Sequence, residues 1–175
     1  VRSLMAPNQF AIGTPKGTEC VAHSVRAFIE KNKNNPRACI VQVDANNAFN
    51  MASRKRFLEL VVEHLPEFAL IAYLLYQNPS VLRFYRRKAT FLSSEGAAQG
   101  CVLGVLLFCL GLQIDLVRRI NEKVPTLELN LWYADDGHLC GDVDLVHQAF
   151  LLTTEAKPKI NFDVNLSKSM VFFPC

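Results

Sequence analysis

The sequence predicts an α+β fold, an antiparallel sheet covered by helices on one face. Two observations carry this. Short β-rich runs come in closely spaced pairs, as hairpins do, rather than alternating singly with helices. The overall order is helix, strand, two helices, hairpin, helix, hairpin, helix, strand, which suits a layer of helices laid on one antiparallel sheet.

Each element has a local cause. Thr18 can cap a helix in which Val21, Val25, Phe28 and Ile29 recur at helical spacing. The polar run Lys31-Asn32-Lys33-Asn34-Asn35-Pro36 ends it. Ala38 to Val43 is a central strand that stops at Asp44. Ser53 caps a helix to His64, and Pro66 opens another to Gln77. Val81 to Tyr85 and Ala89 to Leu92 form a hairpin around Arg86-Arg87-Lys88. Cys101 to Asn121 is a long helix. Leu127 to Tyr133 and His138 to Gly141 are strands joined by Ala134-Asp135-Asp136-Gly137, with Asp-Gly as the turn signal. A helix from Asp144 to Lys157 follows, then a strand pair, Ile160 to Val164 with Met170 to Phe173.

The 175 residues suffice for one domain with its own core, and no linker or repeat divides them. Val1 at the start and Phe172-Phe173-Pro174-Cys175 at the end read as cuts in something longer. The net charge of +3 suits contact with phosphate without demanding it. None of the six cysteines forms a C-x-x-C pair, and His138 with Cys140 lacks a second ligand pair for zinc. No secretory signal is visible, so reduced thiols and an intracellular setting, cytoplasm or nucleus, are expected. The longest apolar run, Cys101 to Leu112, is too short to span a bilayer.

The chemistry lies in the acids. Asp44 ends the central strand, and Asp135-Asp136 sits where a hairpin turns. On a straight strand adjacent side chains diverge to opposite faces, but at a hairpin tip both can converge. Three carboxylates gathered at one sheet edge repel one another, and Mg²⁺ relieves that, bound by a few carboxylates and by substrate phosphates. Two such ions about 3.5–4 Å apart clamp an in-line phosphoryl transfer. Taken singly, Asp135-Asp136-Gly137 is equally a solvated turn and Asp44 a capping residue.

Four segments then fall in one order. Asp44-Ala45-Asn46-Asn47-Ala48-Phe49-Asn50 resembles motif A of reverse transcriptases. Gln99-Gly100-Cys101-Val102-Leu103-Gly104-Val105-Leu106-Leu107-Phe108 resembles motif B. Tyr133-Ala134-Asp135-Asp136 resembles the Tyr-x-Asp-Asp box of motif C, and Asn165-Leu166-Ser167-Lys168-Ser169 is similar to the motif D region. Gln9 to Arg26 looks like the segment before motif A in non-LTR retrotransposons. The resemblance covers nearly the whole chain. It implies a polymerase palm with a ferredoxin-like core, cut at both ends so that fingers and thumb are missing.

The resemblance also assigns roles. Asp44, Asp135 and Asp136, with the Ala45 carbonyl, would hold two Mg²⁺ ions, Mn²⁺ being able to substitute. Phe49 would exclude a 2′-hydroxyl. Gln99 and Gly100 would meet the incoming nucleotide and template, and Lys168 would lie near the departing pyrophosphate. Arg83, Arg86, Arg87 and Lys88, interleaved with Phe84 and Tyr85, form a basic hairpin that could track a nucleic-acid backbone. Arg54, Lys55 and Arg56 invite the same reading. The implied activity is RNA-directed DNA polymerisation, with RNA template, DNA primer and dNTP as partners and no membrane. Without fingers and thumb, little processive synthesis is expected.

Motif B departs from the family, which reads Gln-Gly-Asp-Pro-Leu-Gly-Pro. Cys101 replaces the Asp, and Val102 and Val105 replace the prolines, which removes an acid from the helix start and two fixed φ angles. The alternative reading is therefore a catalytically inactive retroelement remnant that at most binds nucleic acid. A nucleotide cyclase would also use a palm-like sheet with metal-binding acids, but the matches at Gln99-Gly100 and Ala48-Phe49 argue against it.

Overall fold

A computed structural model describes residues 1–84, 89–98 and 100–175. In chain order these form α1 (Arg2–Met5), α2 (Gly17–Asn32), β1 (Ala38–Val43), α3 (Ala48–Met51), α4 (Arg54–His64), α5 (Pro66–Tyr76), β2 (Ser80–Phe84) and β3 (Ala89–Ser93). Then come α6 (Val102–Leu112), a π-helical turn (Gln113–Val117), α7 (Arg118–Lys123), β4 (Leu129–Tyr133), β5 (Asp136–Asp142), α8 (Val143–Thr154), α9 (Lys157–Ile160) and β6 (Met170–Phe172).

Four strands make the main sheet in the order β4-β5-β1-β6, while β2 and β3 pair separately. Every neighbouring pair is antiparallel. The α+β architecture is as expected, but the helices do not keep to one face. Cys39, Val41 and Val43 of β1 enter the main core with α4, α6 and α8, whereas Ala38 and Ile40 pack with Phe28 of α2 and Cys140 on the other side. The cause is legible in β1 itself: Ala38 to Val41 are consecutive buried apolar residues, the pattern of a strand covered on both faces.

α2 starts at Gly17 rather than being capped by Thr18, and its N-cap residue Lys16 is left-handed at φ 55°. Gly17 is buried with Phe10 packed directly against its backbone, so the chain turns there. Ser53 does cap α4, its hydroxyl accepting the Arg56 N–H at 3.3 Å, and Pro66 opens α5. The long helix runs on from α6 through the π turn into α7, burying Leu107, Leu110, Leu112, Leu116 and Ile120 completely. Each such side chain contributes about 2 kcal/mol of apolar burial.

The expected strand from Ile160 to Val164 is absent. Residues up to Ile160 form α9, and Asn161 then reverses the chain at φ 59°, its amide donating to the Met51 carbonyl at 2.6 Å. Phe162 turns inward and meets Trp132 edge to ring, with centroids 5.9 Å apart. β6 therefore pairs with β1, Val41 opposite Val171. Core burial of Ile160 and Phe162 outweighs the strand propensity of that stretch.

The β4–β5 hairpin is tighter than expected. Tyr133 pairs with Asp136, so only Ala134 and Asp135 form the loop, and Ala134 takes the positive φ of 54°. Gly137 belongs to β5, because its missing side chain makes room for Trp132 rather than for a turn.

Candidate catalytic site

Asp44 and the Asp135 hairpin meet through the register of the sheet. Val43 at the end of β1 pairs with Gly137, and Asp136 precedes Gly137. The two strands therefore deliver Asp44 and Asp136 side by side at one sheet edge, with Asp135 in the adjoining loop. Burial pushes the Asp135 carboxyl above the usual carboxylate range, and the charges of Asp136 and Asp44 push it further. Asp135 also adds to the burial that drives the Cys109 thiol of α6 up to about 12. Oδ1 of Asp44 is buried without a hydrogen-bond partner.

The segment after α9 closes on Asp44 from the other side. The Asn165 N–H donates to the Asp44 carbonyl at 2.8 Å, and the Asp44 N–H donates to Ser169 Oγ at 3.1 Å. Ala45 bridges to Val164. The turn between Asn165 and Ser169 thus packs on the end of β1 and carries Lys168, which is exposed. Asp44, Ala45, Asp136 and the Asn165–Ser169 turn lie at one end of the sheet, with Asp135 in the adjoining loop.

Phe49 joins the site to α6. Asn47 turns the chain into α3 at φ 50°, a conformation Asn tolerates. The Phe49 ring then stacks on Phe108, centroids 4.3 Å apart and planes 26° apart, and its carbonyl accepts the Ala97 N–H at 2.7 Å. Gly100 is exposed at φ 83°, which favours glycine, and among the described residues a β-carbon there would touch nothing within 4 Å. Gln99, Arg86, Arg87 and Lys88 lie outside the described residues. Arg83 is exposed on β2, in the separate two-stranded sheet.

Arg54 and Arg56 are engaged within the fold, contrary to the nucleic-acid reading of that triplet. Arg54 is buried and donates to the carbonyls of Gly96 and Ser93, both at 2.8 Å. Arg56 grips Asp115 through two hydrogen bonds of 2.6 and 2.8 Å. Lys55 remains exposed.

Among the described residues no three His, Cys, Asp or Glu side chains stand grouped as a ready-made metal cage. The acids still suit a hard cation. Mutual repulsion at Asp135 and an unpartnered carboxylate oxygen at Asp44 are what a dication would relieve, and Mg²⁺ takes only one or two carboxylates when phosphates complete its shell. All six cysteines stand as free thiols. No helix among the described residues is long and apolar enough to cross a membrane.

Sequence reasoning missed Gln9. It is buried, and its amide holds both backbone groups of Ala134. Its partner is 125 residues away, so no local periodicity announces it.

No protein-family model matches the sequence. The retrotransposable element SLACS 132 kDa protein of Trypanosoma brucei gambiense is 29% identical over 140 residues, which is 77% of this chain and 12% of that protein. A Candida albicans telomerase, solved in complex with a TWJ fragment of telomeric RNA, superposes with a TM-score of 0.69 at 13% identity, over 99% of this chain and 33% of that one. The corresponding Candida tropicalis complex gives a TM-score of 0.66 at 14% identity, over 89% of this chain and 29% of that one. The chain thus shares its fold with part of these telomerases, and it spans a third or less of the length of each of these proteins.

Proposed function

We propose that the chain is the palm portion of an RNA-directed DNA polymerase of the non-LTR retrotransposon type, which adds deoxynucleotides to a primer on an RNA template. The observation that carries this reading is the junction of β1, the β4–β5 hairpin and the Lys168 turn, where Asp44, Asp135 and Asp136 share one sheet edge. The likeness to telomerases bound to RNA and to a retrotransposable-element protein supports a nucleic-acid partner.

In this reading Asp44, Asp135 and Asp136, with the Ala45 carbonyl, hold Mg²⁺ or Mn²⁺. The bound ions supply charge neutralisation at the phosphoryl oxygens during in-line displacement. The residues around them orient the substrate. Phe49, braced on Phe108, is a rigid wall against a 2′-hydroxyl. Gln99 and the open backbone at Gly100 receive the nucleotide and template. Lys168 brings a cation to the leaving pyrophosphate. Arg83, with Arg86, Arg87 and Lys88, tracks the nucleic-acid backbone.

The test is single-nucleotide addition to a DNA primer annealed to RNA, with Mg²⁺ or Mn²⁺, beside Asp135→Ala. Addition that disappears in the variant supports the proposal. Addition that persists in the variant sinks the role given to Asp135. Its absence from both favours the inactive-remnant reading.

A further inference from the structure

We infer that Gln9 is a positioning residue that fixes the backbone of the loop carrying Asp135. Its Oε1 accepts the Ala134 N–H at 2.9 Å, and its Nε2 donates to the Ala134 carbonyl at 3.1 Å. One side chain thus satisfies both polar groups of the single residue that must hold a positive φ at the hairpin tip. Ala134 has a β-carbon, so that conformation is disfavoured for it and needs support from its surroundings. Gln9 is 1% exposed, so water does not compete for these bonds.

Gln9 is itself held rigidly. Oε1 also accepts the Ala11 N–H at 3.2 Å. The flanking backbone pairs with β4, Trp132 N–H donating to Asn8 at 2.7 Å and Phe10 N–H donating to Trp132 at 2.8 Å. The Asn8 side chain donates to the Asn130 carbonyl at 2.6 Å and accepts from Asn121 at 2.8 Å. Asn130 accepts the Trp132 indole N–H at 2.7 Å. This asparagine network locks residues 8–10 to the strand that leads into the loop. The peptide joining Ala134 to Asp135 is therefore fixed through the Ala134 carbonyl, one bond from the nitrogen of the acid residue. Movement at this clamp is movement of Asp135.

The consequence for ion binding rests on the polymerase reading, but the clamp does not. The experiment has two arms on the full chain. Amide hydrogen exchange at Ala134 reads the clamp, and Mn²⁺ affinity, followed by water proton relaxation, reads the acid site. Gln9→Met keeps length and loses all three side-chain hydrogen bonds, two to Ala134 and one to Ala11. Phe28→Leu, on the far face of the sheet, is the control for general loss of stability. In Gln9→Met the Ala134 amide is expected to exchange about tenfold faster and the Mn²⁺ dissociation constant to rise about tenfold, with neither change in the control. Exchange no faster than in Phe28→Leu overturns the clamp. Unchanged Mn²⁺ affinity in Gln9→Met, where Asp135→Ala abolishes binding, overturns its role in positioning. Wild-type Mn²⁺ binding indifferent to Asp135→Ala would defeat the metal reading instead, and exchange alone would then decide the clamp. Should Gln9→Met not fold, Gln9→Glu keeps the acceptor and loses the donor. It is expected to keep Ala134 protected while shifting the Asp135 amide resonance, and an unmoved resonance overturns the inference.

Discussion

The indole of Trp132 fills the space that a side chain on Gly137, its cross-strand partner, would need: a β-carbon there would lie 2.6 Å from the ring. Trp132 is fully buried and its indole nitrogen is committed to Asn130, so the ring cannot slide away without breaking a buried hydrogen bond. Gly137→Ala is therefore expected to destabilise the chain by about 1–3 kcal/mol, as overpacking does. The urea midpoint measures it, and a variant as stable as the parent would show that the ring has room to move.

That same glycine marks the limit of what the sequence discloses. Asp136-Gly137 carries a strong turn signal, yet both residues are in β5 and the glycine exists for a ring on the facing strand. Local causes were readable: the apolar run of β1, the Ser53 cap and the proline at the start of α5 all stand where the residues put them. Three of the four motifs come together on β1, the β4–β5 hairpin and the turn after α9, which their order along the chain foreshadowed but could not place in space. What stayed hidden depends on contacts more than 100 residues apart, such as Asn161 with Met51 and Gln9 with Ala134. Such pairs leave no period in the sequence.

Asp115 should be a strong determinant of stability. It sits in the π turn with its side chain 2% exposed, bound by Arg56 at 2.6 Å and by Lys159 at 2.7 Å. Burial alone would raise its carboxyl, but the hydrogen bonds and charges of Arg56 and Lys159 outweigh that and hold it below the usual range. Asp115→Ala is expected to destabilise by about 3 kcal/mol, since it strands a partly buried guanidinium. The stabilisation is present above the unfolded aspartate value and lost as pH falls through the lower, folded one. The gap between wild type and Asp115→Asn should therefore be widest at neutral pH and close in acid. Urea midpoints across pH would show it, and a gap independent of pH would contradict the ionic account.

Asp135 should behave in the opposite sense. Burial, then the charges of Asp136 and Asp44, raise its carboxyl. Its contribution is fully present below the unfolded aspartate value and is lost as pH rises through the raised, folded one. Asp135→Asn is thus expected to be more stable than wild type at neutral pH and to converge with it in acid. Mg²⁺ or Mn²⁺ should stabilise wild type and not the variant, by ligand linkage to the folded state. Thermal unfolding with and without the ion tests both, and equal stabilisation of the two chains would remove Asp135 from the proposed metal site.

Arg54 and Arg83 should separate structural from nucleic-acid arginines. Arg54 is spent on Gly96 and Ser93, with its guanidinium 5.4 Å from the Tyr76 ring centroid, whereas Arg83 is exposed on the hairpin strand β2. A phosphate contact shows itself in salt dependence: each one lost lowers the slope of log affinity against log salt by about 0.7 for a single strand. Arg83→Ala is expected to lower the slope for single-stranded RNA by about that amount while leaving the urea midpoint in place. Arg54→Ala is expected to leave the slope alone and to lower stability by about 2 kcal/mol, through the carbonyls of the 93–96 segment left without a donor. Fluorescence anisotropy over a salt series measures the slopes. A slope that falls in Arg54→Ala and not in Arg83→Ala would reverse the assignment and turn the search for the nucleic-acid path toward α4.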